Sequence, residues 1–143
     1  MSADFFLDTN VLVHAFGTKA QASPEIRTEI AQEIVARGGA ISVQVLNEFA
    51  RVASRKALLG WDRIAGLLGV IKELCDPPVP INLEIHESAV RLSRKFGFNI
   101  YDSLIIAAAL RAGCKTIYSE DMQHGQVVEG IRIENPFLRL PRP

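Results

Sequence analysis

Phe5-Phe6-Leu7-Asp8-Thr9-Asn10 decides how the chain is read. Three apolar residues in a row form a short buried strand, and Asp8-Thr9-Asn10 supply the turn and N-cap chemistry that closes it and starts a brief helix near Val11. Outward from there the alternation repeats. Gly17-Thr18 end the first helix, and Pro24 after Ser23 opens a second that runs to about Arg37, where Gly38-Gly39 stop it. Ala40-Ile41-Ser42 reads as a second strand. Residues 43–56 return to helical spacing, with Val45, Leu46, Phe49, Val52 and Ala53 on one stripe.

Residues 61–74 form an amphipathic helix for which Asp62 is the expected cap. Asp76-Pro77-Pro78-Val79-Pro80 is a stiff loop, too short for a domain linker, entering a third strand near 79–81. Residues 83–96 are helical, ended by Gly97 at C′. Residues 102–112 are apolar almost all round, a helix deep in the core, and Gly113 ends it. Thr116-Ile117-Tyr118 is a fourth strand and Ile131-Arg132-Ile133 a fifth, placed at the edge. Strands alternating with helices predict an α/β fold, a mostly parallel sheet of four to five strands with helices on both faces. At 143 residues, without repeats or low-complexity tracts, the expectation is one domain over 1–143, able to bury roughly two thirds of its unfolded surface.

Hydrophobic content of 48% with 22% charged is ordinary globular composition, neither disordered nor membrane-embedded. No apolar run approaches the roughly 18 residues of a spanning helix. Met1-Ser2-Ala3-Asp4 lacks the basic head of a secretory signal, so a cytoplasmic location is expected. Cys75 and Cys114 have no metal-ligand spacing and read as reduced thiols. The 16 basic and 16 acidic residues cancel, which counts mildly against nucleic-acid binding. Two bound divalent cations would contribute about +4 that this sum omits.

Four acids stand where folding alone would not put them: Asp8, Glu48, Asp102 and Asp121. Each follows a short apolar run or interrupts an apolar stripe, and none has a Lys or Arg within two residues. Such carboxylates are costly to desolvate unless paired or bound to a cation. Asp8 follows the first strand and Asp121 lies three residues past the fourth. Glu48 shares the stripe of Val45, Phe49 and Val52, which turns it toward the sheet. Asp102 heads the deeply buried helix, where the dipole favours its ionised form. Ligands of open α/β sheets bind beyond the carboxyl ends of the strands, where all four acids would meet.

Two carboxylates about 4 Å apart repel by roughly 4 kcal/mol at an effective dielectric near 20, so such a cluster needs cations or protons. Oxygen-only ligation selects Mg²⁺ or Mn²⁺ over zinc, one ion or two, and points to phosphodiester chemistry. Each acid also has a local explanation. Asp8 would cap the helix after it, Asp102 would be a helix-start carboxylate with Asn99 as the rival cap, Asp121 would be a turn residue, and Glu48 would ion-pair with Arg51 or Arg55.

Phe6-Leu7-Asp8-Thr9-Asn10-Val11-Leu12, Asn47-Glu48-Phe49, Tyr101-Asp102-Ser103-Leu104-Ile105-Ile106-Ala107-Ala108-Ala109 and Tyr118-Ser119-Glu120-Asp121 occur in this order. Together they resemble the PIN-domain ribonucleases, particularly the VapC-type toxins of prokaryotic toxin–antitoxin pairs, nearly to Pro136. The resemblance implies a PIN-like three-layer α/β/α sandwich and a Mg²⁺ or Mn²⁺ site built from Asp8, Glu48, Asp102 and Asp121. Asn10 and Ser119 match the family's supporting polar positions. Metal-dependent endonucleolytic cleavage of RNA, a homodimer and inhibition by a cognate antitoxin are implied too. One departure stands out. Many relatives carry a further acid two residues beyond the fourth, then an aromatic, where this chain has Gln123 and His124; whether Glu120 compensates is left open by the sequence, and His124 reads as a loop residue.

Cationic grips for RNA would come from Arg51, Arg55 and Lys56, or from Arg91, Arg94 and Lys95, although solvated helix faces look the same. Two other classes compete. A receiver-like phosphoacceptor also places an Asp after its first strand, but needs a second acid beside it and a Lys after a late strand; here Thr9-Asn10 follow Asp8, and Lys115 precedes its strand. The other is an RNA-binding or protein-interaction module with vestigial acids and no toxin role.

Overall fold

Phe6 and Leu7 are both 0% exposed, although consecutive strand residues point to opposite faces, so the sheet is covered on both sides at its centre. The structure is a computed structural model that describes residues 3–17 and 25–139. The Thr18 stop and the Ser23-Pro24 start lie outside the described residues. Elements run in the order β1 (Phe5–Leu7), α1 (Thr9–Ala15), α2 (Glu25–Ala36), α3 (Val43–Arg55), α4 (Trp61–Leu74), α5 (Leu83–Phe96), α6 (Ile100–Arg111), β2 (Thr116–Tyr118), β3 (Val127–Val128) and β4 (Ile131–Glu134). A single 3₁₀ turn follows at Pro136–Arg139.

The strands are ordered β1-β2-β4-β3, with β1, β2 and β4 parallel and β3 antiparallel to β4. This is the α/β architecture expected, with three differences in detail. Ala40-Ile41-Ser42 is not a strand of its own but two isolated parallel bridges, Ala40 to Phe6 and Ser42 to Val79. The segment near 79–81 is likewise one bridging residue. The Val79 N–H donates to Ile41 O and its carbonyl accepts from Val43 N, both at 2.9 Å. Pro78 and Pro80 on either side have no N–H to extend that ladder. Finally, β4 lies inside the sheet, because β3 covers its outer flank through the two-residue turn Glu129-Gly130. Both turn residues have positive φ, 49° and 89°, the hallmark of a type I′ hairpin.

Gly39 lets the bridge between Ala40 and Phe6 form. Its φ is 125°, and a Cβ there would stand 2.8 Å from Phe5 Cε2 and 3.0 Å from Leu7 Cγ, so only glycine brings Ala40 against β1. Helix ends follow the capping chemistry closely. Ser42, Asn82 and Asn99 accept from the N–H groups of Val45, Ile85 and Asp102, and Gly97 closes α5 in the left-handed region. For α4 the cap is Gly60 without a side-chain bond; Asp62 sits within the first turn, where it meets the helix dipole instead. Helix α6 buries Ser103 and everything from Ile105 to Ala109, and it begins at Ile100, earlier than expected, because Asn99 is its cap. Cys75 and Cys114 are buried free thiols. Among the described residues no helix is long and apolar enough to cross a membrane.

Candidate active site

Because Leu7 and Tyr118 are in register on adjacent parallel strands, Asp8 and Ser119 emerge side by side at the carboxyl end of the sheet. Asp8 N–H donates to Tyr118 O at 3.0 Å, and Ser119 N–H to Glu134 O at 2.9 Å, which fixes both strand ends. Asp8 is 6% exposed. One oxygen, Oδ1, caps α1 by accepting from Thr9 N at 2.7 Å; the other, Oδ2, accepts from Ser119 Oγ at 2.7 Å and Asn10 Nδ2 at 3.4 Å. Asn10 Nδ2 also lies 3.2 Å from Asp121 Oδ2, while Asn10 Oδ1 accepts from Glu120 N at 3.0 Å. Asn10 therefore ties the first strand end to the loop that carries Asp121. The same Ser119 hydroxyl oxygen receives the N–H groups of Asp121 and Met122 at 3.2 and 3.3 Å.

Asp8, Asn10, Ser119 and Asp121 thus form one hydrogen-bonded cluster, and Glu48 joins it at one remove. Thr9 Oγ1 donates to Glu48 Oε2 at 3.0 Å, and Gln44 Nε2 to Oε1 at 2.9 Å. Neither Arg51 nor Arg55 takes that carboxylate. Glu48 is half-buried at the margin of the α3 stripe, not turned fully to the sheet, because Val45, Phe49 and Ala53 fill the inward face. Asp102 is half-buried on the first turn of α6, its N–H held by Asn99 Oδ1 at 2.9 Å and its Oδ2 receiving Asn99 Nδ2 at 3.0 Å. Asp121 is exposed at the rim.

Electrostatics link the two halves. Burial pushes the Asp8 carboxyl up to about 6 from an ordinary 3.8; the Ser119 and Thr9 bonds pull it down, and the charges of Asp121 and Glu48 raise it again. Asp102 is also raised, first by burial, against the Asn99 bond, with Asp121 and Glu48 again adding repulsion. Four carboxylates therefore share one field. Among the described residues no three His, Cys, Asp or Glu side chains are set to grip a single ion directly. The donor set itself, all carboxylate oxygen with a buried and destabilised member, fits a hard divalent cation and no softer one.

Several contributors escaped sequence reading. Thr9 was read as turn chemistry, yet its hydroxyl holds Glu48; Gln44 precedes Glu48 by one helical turn, and that spacing is the signal that finds it. Glu120 is engaged by neighbouring side chains. Its carboxylate accepts from Arg27 and lies 3.1 Å from His14 Nε2, away from Asp8, pinning the acid-bearing loop to α1 and α2. His124 is a loop residue whose Nδ1 accepts from Asn135 N at 3.0 Å. Beside Glu48 opens a cleft of about 430 Å³ lined by Gln44, Asn47, Glu48, Arg51 and Tyr101.

Fold and site together define a mostly parallel α/β domain with several carboxylates near the strand ends. The PIN domain family model matches residues 5–129, and the chain belongs to that family. Among solved structures it is similar to VapC20 of Mycobacterium tuberculosis, described as a sarcin–ricin loop cleaving toxin. The TM-score is 0.63 at 18% identity, over 82% of this chain and 89% of that one, a likeness of fold. No curated protein matches the sequence significantly.

Proposed function

We propose that this chain is a metal-dependent endoribonuclease, a single PIN-like domain acting as the toxin of a type II toxin–antitoxin pair. Family membership and the fold shared with a known toxin support the class. The observation that carries the chemistry is Asp8: a residue 6% exposed, its carboxylate repelled by Asp121 and Glu48, with no cationic side chain among the described residues bonded to it. Asp8, Glu48, Asp102 and Asp121 would hold Mg²⁺ or Mn²⁺. Bound there, the ion would supply positive charge against the scissile phosphate and an acidified water for hydrolysis. The chain's own groups do the arranging. Ser119 and Asn10 fix Asp8 and Asp121, Thr9 and Gln44 fix Glu48, and Asn99 fixes Asp102.

Purified protein incubated with total RNA should generate new 5′ ends with Mn²⁺ and none with chelator. Asp8→Asn and Asp102→Asn should each abolish those ends while keeping a native circular dichroism spectrum. Cleavage retained by either variant would remove that residue from the mechanism. Partners in this reading are the RNA, a cognate antitoxin and a second copy of the chain, the last checked by light scattering.

A further inference from the structure

Tyr101 is 60% exposed, although it sits on the first turn of α6 directly before Asp102. It lines the cleft beside Glu48 together with Gln44, Asn47 and Arg51 of α3. Asn47 and Arg51 are four residues apart on α3, so they line the same helix face, and both are exposed. Among the described residues no hydrogen bond or ion pair engages the side chain of Tyr101, Asn47 or Arg51. The contrast with the other basic group is informative. Arg91 is committed to Glu129 through contacts of 2.6 and 3.1 Å, and Lys95 lies 4.0 Å from the same carboxylate. Arg51, by contrast, shares its cleft with Glu48. An open ring, an amide and a guanidinium converge on a space within the ~300–1,000 Å³ typical of small-molecule sites.

We infer that this cleft is a nucleobase subsite: Tyr101 stacks on one unpaired base next to the scissile phosphodiester, Asn47 meets the edge of that base, and Arg51 holds the adjoining phosphate. Aromatic faces accept bases only when these are splayed out of a helix, so the contact requires an unpaired nucleotide. The inference rests on the nuclease reading for the nature of the ligand and on the cleft for the contact. Because Tyr101 packs little against the core, its removal leaves the fold intact.

The test has two arms. Cleavage of total RNA by the wild-type chain with Mn²⁺ reports on the nuclease reading alone. Separately, fluorescence anisotropy follows a labelled single-stranded RNA of about 12 nucleotides, alone or annealed to its complement, on Asp8→Asn protein. In that background Tyr101→Ala should weaken single-strand binding about tenfold, Tyr101→Phe should stay within about twofold, and duplex binding should be the same for both. Single-strand binding untouched by Tyr101→Ala overturns the subsite even if the wild type cleaves RNA. A loss as large in Tyr101→Phe overturns stacking, since the ring is kept. Absence of single-strand binding by the parent protein also overturns it. Ring-dependent binding without any cleavage by the wild type sinks the nuclease reading and leaves the subsite standing.

Discussion

Asp8 does two jobs with two oxygens, one capping α1 and the other facing Ser119. The local and the clustered explanations of this residue were never exclusive. Its carboxyl sits at about 6 in the folded chain against 3.8 ordinarily, so the native state binds the proton more tightly than the unfolded one. The resulting stabilisation is complete below pH ~4 and is lost as pH rises through ~6, a swing of about 3 kcal/mol. In metal-free buffer, thermal melts should therefore show Asp8→Asn more stable than wild type at pH 8 and nearly level with it at pH 4. An equal gap at both pH values would contradict the burial argument. Mn²⁺ should raise the wild-type melting temperature at pH 8 and move Asp8→Asn far less. Ser119, fully buried, serves Asp8, Asp121 and Met122 at once. Ser119→Ala strands those groups and should cost about 1–3 kcal/mol by urea denaturation. A smaller loss would mean that water replaces the hydroxyl. Asp8 and Asp121 were legible in the sequence by their place after strands. The Thr9 hydroxyl was not, because nothing local says which distant carboxylate a threonine will meet.

Elements with strong periodicity or clear stops came through from the sequence: α3, α4 and α5 match their expected spans within a residue. The short strands did not. Ala40–Ser42 and Val79 pair through single residues, and a one-residue ladder leaves no alternation to read. Strand β3 is two residues long, and its only sequence signal is the Glu129-Gly130 turn, weaker than an Asn-Gly pair. Helix α6 was legible in its apolar body, while its start was decided by Asn99. Replacing that cap with alanine removes both the Asp102 N–H acceptor and the amide donor to its carboxylate. Asn99→Ala should cost roughly 0.5–2 kcal/mol of stability and also lower RNA cleavage, because Asp102 loses its orientation. Loss of stability with cleavage unchanged would show that the cap supports the helix alone.

At the scale of the whole molecule, a net charge of zero conceals an uneven distribution. The acids gather at one end of the sheet, with Arg51 at their margin, while Arg91 is neutralised by Glu129. If RNA crosses this end, Arg51→Ala should flatten the dependence of log affinity on log salt by about one unit, and Arg91→Ala should leave it nearly unchanged. Equal slopes for the two variants would place the strand elsewhere.

The flanks of the sheet carry a consequence of their own. On one side Val79 stands alone between two prolines, and on the other β3 stops after two residues. Among the described residues neither border offers a run of vacant amides on which a foreign strand could template itself, so the fold is guarded against fibrillar stacking at its edges.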